Sequence, residues 1–429
     1  MTFRRALSLC TSLLLASSAA MAQRPVIDIS NPKVQAYPIA LAPPQGDPAA
    51  QEILSVVQAD FERSGLFKVL DPRSFLASPQ EGVDEKSIDF SKWASVGAQG
   101  LMKAVFQAQG DRIAGEFHVF DVPRAREVLK KTYALPRSQQ RQIAHRFADD
   151  VVKLFTQEPG AFATRIAYVR ETANGKQIVV ADSDGFGPQQ LTGASINLLP
   201  TWTPDGRGLA FTTFREGNGA HIYWVDATTK ALRPLVMIGD FATGAAFSPD
   251  GSRLLFTSSH EENTDIYTAK PDGSGAKRLT DSRGIDVSPS FSPDGKQVAF
   301  VSDRAGSPQI YLMNADGSGL RRLTFQGNFN QEPAWSPKGD LIAFTGRDEK
   351  RSFDVYTVNA QSGKIARLTQ NEGTNEKPSW APNGQLVIFS STRTGKRQLW
   401  TASPDGSNPQ KLTDEPMGAF DPAWGPFPK

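Results

Sequence analysis

The sequence predicts two folds in one chain, an α/β N-terminal domain with a mixed sheet and an all-β six-bladed β-propeller. Three observations carry this. A P-x-[F/W]-S-P-D-G element returns, with small variations, as PTWTPDG (200–206), AAFSPDG (245–251), PSFSPDG (289–295), PAWSPKG (333–339), PSWAPNG (378–384) and the truncated PAWGPF (422–427), each start 44 or 45 residues after the last. Within a period, short apolar or aromatic runs are separated by Gly, Pro, Asp and Ser, the pattern of a four-stranded blade rather than of a helical repeat. The first third of the chain lacks the repeat and alternates strand-like runs with two amphipathic helical stripes. A chain of 429 residues exceeds the size at which one core usually stops growing, so two domains are expected.

Residues 1–22 read as an export signal. Arg4 and Arg5 precede an apolar run, and Ala20-Met21-Ala22 places small residues where a signal peptidase cuts, so cleavage is expected after Ala22. The run is too short and too rich in serine for a spanning anchor. Cys10 lies inside it, which leaves no cysteine beyond residue 22 and excludes a disulfide framework. Removing the two arginines leaves basic and acidic residues in balance, so no general attraction to nucleic acid or an anionic membrane is expected.

Residues 23–36 form an N-terminal tail, followed by the α/β domain over 37–162. YPIALAP (37–43) reads as a strand. DPAAQEILSVVQADFERSG (47–65) reads as a helix capped by Asp47, with Pro48 at its first position and Ile53, Val56, Val57 and Phe61 on one face. FKVLDP (67–72) is the next strand and SPQEGVDEKS (78–87) an exposed loop. Strands follow at 99–109, 112–122 and 126–135, and 138–158 carries Ile143, Phe147, Val151, Leu154 and Phe155 at helical spacing.

The propeller is expected over 163–429. After each turn comes an apolar triplet such as LAF (209–211) or VAF (298–300), then an aromatic pair such as Ile310-Tyr311, then a glycine turn and Leu-Thr, as in DGSGLRRLT (316–324). In S-P-D-G, proline presets φ, aspartate bonds the neighbouring backbone and glycine supplies a positive φ, so turn formation accounts for all of these residues without any chemistry. The aromatic of each PxW or PxF is expected to pack between blades. Three strands stand alone before the first motif and one, PAW (422–424), after the last, so the C-terminal strand should complete the first blade and close the ring, protecting edges that an open sheet leaves unpaired. The second repeat departs from the pattern, with Ala245 for Pro and Leu235-Val236 for Leu-Thr.

No G-x-S-x-G elbow and no phosphate loop occurs, and His118, His145, His221 and His260 lack metal-ligand spacing and read as solvated or packing residues. The export signal, the PIALAP strand opening an α/β domain, the junction PGAFATRIAYV (159–169) and six blades with P-x-W-S-P-D-G and Leu-Thr elements together resemble the TolB family over essentially the whole chain. The resemblance implies a non-catalytic, monomeric binding module in the periplasm of a Gram-negative bacterium, part of the Tol-Pal system that supports outer-membrane integrity and invagination during cell division. Its propeller mouth would receive the outer-membrane lipoprotein Pal, its tail the C-terminal domain of TolA, and some colicins would use the same propeller site.

Carried onto this sequence, the TolA segment is Gln23, Arg24, Pro25, Val26, Ile27, Asp28, Ile29 and Ser30, whose strand propensity suits addition to a partner's sheet edge. The alternative is a strand docked on its own domain. The Pal site comprises the segments entering each PxW strand: Phe241, Thr243 and Gly244; Asp286, Val287 and Ser288; Asn330, Gln331 and Glu332; Thr374, Asn375 and Glu376; and Ala419, Phe420 and Asp421. Asp286, Glu332, Glu376 and Asp421 suggest a carboxylate cluster that would dock basic side chains of a partner, with Ca²⁺ as a lower-ranked occupant. No catalytic residue and no cofactor is expected. The runner-up reading is an exported propeller hydrolase or lyase working through these carboxylates, against which the scarcity of histidine counts.

Overall fold

The apolar stripe of the first helix is buried as its spacing demands. In a computed structural model that describes residues 36–428 apart from 79, 216, 218, 260–262 and 348–351, α1 (Ala50–Ser64) turns Ile53, Val57 and Phe61 wholly inward. Gly65 ends it with φ 68°, the left-handed conformation that satisfies a helix C-terminus. The helix begins two residues later than expected, at Ala50 rather than Pro48. β2 (Gln45–Gly46) still pairs with the sheet, and the Asp47 amide bonds the Phe106 carbonyl, so Asp47 caps a separate turn through its Oδ1 to the Ala49 N–H at 2.9 Å.

The sheet runs in the order β3 (Phe67–Val69), β1 (Tyr37–Leu41), β4 (Gly100–Gln109), β5 (Arg112–Asp121) and β6 (Arg126–Pro136), parallel about β1 and antiparallel beyond β4. α3 (Gln140–Thr156) packs beside α1, burying Ile143, Phe147, Val151 and Phe155, and the Phe147 ring stacks on Phe117 at 4.3 Å. The segment 78–87 is not a simple exposed loop. Glu81 reaches inward to the buried Lys103 ammonium at 2.8 Å and accepts from the Trp93 indole at 3.0 Å, anchoring it beside the short helix α2 (Phe90–Ser95).

Six four-stranded antiparallel sheets follow. Five are contiguous in sequence. The sixth joins strand Ala419–Trp424 to β7 (Arg165–Thr172), β8 (Gly175–Asp182) and β9 (Gln189–Gln190), with Phe420 opposite Val169 and Trp424 opposite Ile166, so the ring closes as predicted. In the turn at 292–295, the Ser292 hydroxyl bonds Asp294 at 2.6 Å, Asp294 accepts the Lys296 N–H, and Gly295 has φ 69°. The motif aromatics pack between blades: Trp335 sits in one cluster with Leu312 and Leu323 of the preceding blade and Phe344 of its own.

The Leu-Thr element has a buried role that composition did not show. The Thr280 hydroxyl accepts the Ile266 N–H at 3.0 Å and donates to Asp265, and Thr324, Thr369 and Thr413 repeat this with Gln309, Asp354 and Gln398. Each hydroxyl is satisfied as donor and acceptor where water is excluded.

The N-terminal domain meets the propeller at the end where the first and third strands of each blade finish. The Asn408 amide donates to the Glu62 and Arg63 carbonyls at 3.1 and 3.0 Å, the Asn383 amide to the Pro159 carbonyl at 3.0 Å, and Lys338 pairs with Glu158 at 3.1 Å. Asn408, Asn383 and Lys338 all belong to turns at that end. The loops that start the innermost strands are at the opposite end and stay clear of the domain.

Candidate functional site

The innermost strand of every blade carries the same irregularity. Between Leu198 and Thr201, Thr243 and Ala246, Val287 and Ser290, Gln331 and Ala334, Glu376 and Ser379, and Phe420 and Ala423, two residues oppose one on the neighbouring strand, a β-bulge. Its first residue is left-handed in all six blades: Leu199, Gly244, Ser288, Glu332, Lys377 and Asp421, with φ between 48° and 65°. Five of the six are not glycine and bear strain that the surrounding structure must hold. Their amides are turned to side chains: Ser288 N–H to Thr257 Oγ1 at 3.3 Å, Leu199 N–H to Asp421 Oδ2 at 3.3 Å, and Lys377 N–H to Thr345 Oγ1 and Glu332 Oε2 at 2.9 and 3.0 Å.

This ring is one end of a central cavity of about 610 Å³, which runs past the motif prolines and aromatics to the prolines of the turns. Of the expected mouth residues, Thr243, Gly244, Val287, Ser288 and Glu332 line it. Gln331, Glu376 and Asp421 lie half-buried beside them, and Thr374 and Phe241 are also half-buried. Asp286, Asn330, Asn375 and Ala419 occupy one equivalent, buried position two residues before the bulge. Asp286 is fully buried in a fork with Arg304 at 2.7 and 2.9 Å, and Asn330 and Asn375 bond Gln309 and Asp354 at 2.9 Å. Phe420 is buried in the wall, with the Lys176 and Arg397 cations 5.1 and 5.5 Å from its ring centre.

Two lining residues of the left-handed bulge ring were not expected, Leu199 and Lys377. Both stand immediately before the motif proline, as Ser288 and Glu332 do. Aligning every repeat on that proline finds them, and shifts the expected segment 374–376 by one residue to 375–377. The expected tail segment, Gln23 to Ser30, lies outside the described residues, as do the signal and His260. His118, His145 and His221 are buried rather than solvated.

The mouth is zwitterionic. Glu332 lies 4.0 Å from Lys377, and Glu376 pairs with Arg397 at 2.9 Å. Burial pushes the Glu376 carboxyl above its usual range, Arg397 opposes this, and the nearby Glu332 and Asp421 charges add to it. Burial likewise raises Asp421, against the pull of Lys377 and with the push of Glu332. Three of the four expected carboxylates thus converge, and Asp286 stands apart in its ion pair. Among the described residues, Glu332 and Lys377 are the charged groups lining the cavity, and no histidine does. Around the same end, the loops between blades expose Ile196, Met237, Ile285, Phe325 and Met417.

Comparison with known proteins agrees with this architecture. Residues 152–428 match the model of the TolB beta propeller domain, and residues 25–128 that of the TolB amino-terminal domain. The chain is 48% identical over 297 residues, 68% of each chain, to the Tol-Pal system protein TolB of Anaeromyxobacter dehalogenans, and 44% identical over 213 residues, about half of each chain, to that of Myxococcus xanthus. The crystal structure of TolB from Acinetobacter baumannii superposes with a TM-score of 0.83 at 29% identity, covering 95% of this chain and 98% of that one. Hydrazine synthase of Kuenenia stuttgartiensis, an enzyme by name, shares only the propeller fold, at 15% identity and a TM-score of 0.52 over 63% of this chain and 47% of that one. The chain belongs to the TolB family, a non-catalytic propeller component of the Tol-Pal system.

Proposed function

We propose that this protein is a periplasmic adaptor that binds the lipoprotein Pal at the bulged end of its propeller and the C-terminal domain of TolA through the tail Gln23–Ser30, after export and removal of residues 1–22. Through Pal it would sit peripheral to the outer membrane, support envelope integrity and invagination during division, and offer the same mouth to colicins. One observation carries the reading. A ring of strained residues holds half-buried Glu332, Lys377 and Asp421 at the open end of a large cavity, encircled by exposed apolar side chains. Strain of this kind accumulates where a ligand is received, and a cluster of exposed apolar side chains beside a cavity suits a protein partner.

Ca²⁺ at the mouth is a secondary reading, favoured by the mutual push of Glu332, Glu376 and Asp421, which a cation would relieve. Lys377 and Arg397 already relieve part of it.

Calorimetry with the soluble domain of Pal from the same organism tests the adaptor. One-to-one binding is expected, weakened about tenfold or more in Glu332→Ala and Lys377→Ala, a loss typical of a central interface contact, and unchanged by deletion of 23–30. That deletion should instead abolish binding to the TolA domain. A folded protein that does not bind Pal would sink the proposal, and added Ca²⁺ that leaves the affinity unchanged would remove the secondary reading.

A further inference from the structure

Among the described residues, a cluster of ionisable groups stands where α3 meets the first blade. His145, buried on α3, donates from Nδ1 to the buried Asp60 carboxylate at 2.7 Å. A carboxylate only accepts, so Nε2 carries the lone pair in the neutral ring. That Nε2 is buried with no hydrogen-bond partner and lies 3.8 Å from Asp184 Oδ2. One ligand atom from each of His145, Asp182 and Asp184 falls within 4.8 Å of the others. We propose that these three residues form a divalent-cation site, selective for a borderline metal such as Zn²⁺, that staples the N-terminal domain to the propeller.

The internal repeat supplies a control. Asp182 and Asp184 sit in the turn after the third strand, DSDG (182–185), in which the Gly185 N–H bonds the Asp182 carbonyl. The same turn recurs at 270–273, 314–317 and 403–406, with Lys270, Asn314 or Ser403 at the first position. In those blades the aspartate at the third position is exposed and bonds a serine two residues on, as Asp272 does with Ser274 and Asp316 with Ser318. In the first blade, phenylalanine replaces that serine. Asp184 Oδ1 still accepts the Phe186 N–H at 3.0 Å, but Oδ2 turns to α3, where it meets Arg141 and faces His145. Turn formation therefore explains one oxygen of Asp184 and nothing of Asp182.

The chemistry fits a metal. A carboxylate holding the far nitrogen of an imidazole is the usual outer support of a zinc-bound histidine, fixing its tautomer and raising its basicity, and Asp60 supplies it. One imidazole and two carboxylates leave a fourth position for water. Zn²⁺ bonds of about 2.0–2.2 Å set ligand atoms roughly 3.4 Å apart, so the side chains need close in by only about 1 Å. Three cations stand nearby, and Arg165 lies opposite Asp182 in the β7–β8 register. Arg63 is tied to Asp60 at 2.8 Å and to Ser183 at 3.2 Å. Arg141 stacks on the Phe186 ring at 3.8 Å and is partly exposed, so it can give up Asp184 Oδ2 while keeping that contact. Asp149 accepts the Phe162 and Ala163 amides and stays out of the coordination.

The test is calorimetric titration of the purified protein lacking residues 1–22, which holds no cysteine to compete, with ZnCl₂, together with Co²⁺ absorption and thermal unfolding. The expected result is one saturable equivalent, a tetrahedral Co²⁺ spectrum, and a rise in Tm that saturates at the same equivalence. Asp60→Asn should weaken binding by about 10–100-fold, and Asp182→Asn and His145→Gln by at least as much. Asp182→Asn is the cleaner variant, because His145→Gln also breaks a buried hydrogen bond. Absence of saturable binding, or binding that survives in a folded Asp182→Asn protein, overturns the proposal and leaves His145 as a charged contact between the domains.

Discussion

Two carboxylates that look alike in the repeat, Asp286 and Glu332, do opposite work. Asp286 is fully buried against Arg304, and removing one partner of such a pair strands the other's charge. Asp286→Ala is therefore expected to cost about 3–5 kcal/mol, measured by urea unfolding, and any loss of Pal binding would follow from damage to the fold. Glu332→Ala, half-buried at the cavity, should cost stability far less than it costs binding. Asp421 gives a pH test. Its folded pKa lies above the unfolded value, so the folded state holds the proton more tightly and loses stability on this account as pH rises through the gap between the two values. Asp421→Asn, which can still accept the Leu199 N–H, should stabilise the protein at pH 7.5 and do so much less at pH 4, read from unfolding curves at both. Equal effects at the two values would show that burial does not raise the Asp421 carboxyl in the folded state.

The bulged strand is the element that makes the mouth. Its positive φ is tolerable for serine or lysine at a cost, but a β-branched side chain at such a φ is a steric outlier. Ser288→Val is expected to destabilise by about 1–2 kcal/mol, with Ser288→Gly near neutral because relieved strain is offset by the flexibility glycine adds to the unfolded chain. The outer element has its own signature in the Leu-Thr hydroxyl. Thr280→Val keeps the volume but leaves the Ile266 N–H without its acceptor in a buried setting, a loss of about 1–3 kcal/mol. Both effects are read by chemical denaturation.

At the scale of the molecule, the ring depends on its last strand. Trp424 is buried and its indole donates to Thr164 at 2.8 Å, so Trp424→Ala should cost about 3–5 kcal/mol. Truncation after Gly418 would expose β7 as an unpaired edge, and light scattering should then show aggregation. The whole molecule also separates two faces. The N-terminal domain occupies the turn end, so a partner can dock at the bulged end without displacing it.

Blade number, ring closure, the α/β character of the first domain and the structural role of S-P-D-G were legible because each rests on local chemistry or on a repeat of fixed period. PxW spacing even marked the position before the proline that becomes the mouth. The bulge itself was not legible, since a shift of one residue turns a strand side chain to the other face, and polar residues at Asp286 and Ser288 alike gave no sign that the first is buried and the second lines the cavity. Nor could the chain order show that His145, Asp182 and Asp184 meet. They lie on different domains, and only the docking of α3 against the first blade, set by packing over the whole interface, decides their distance.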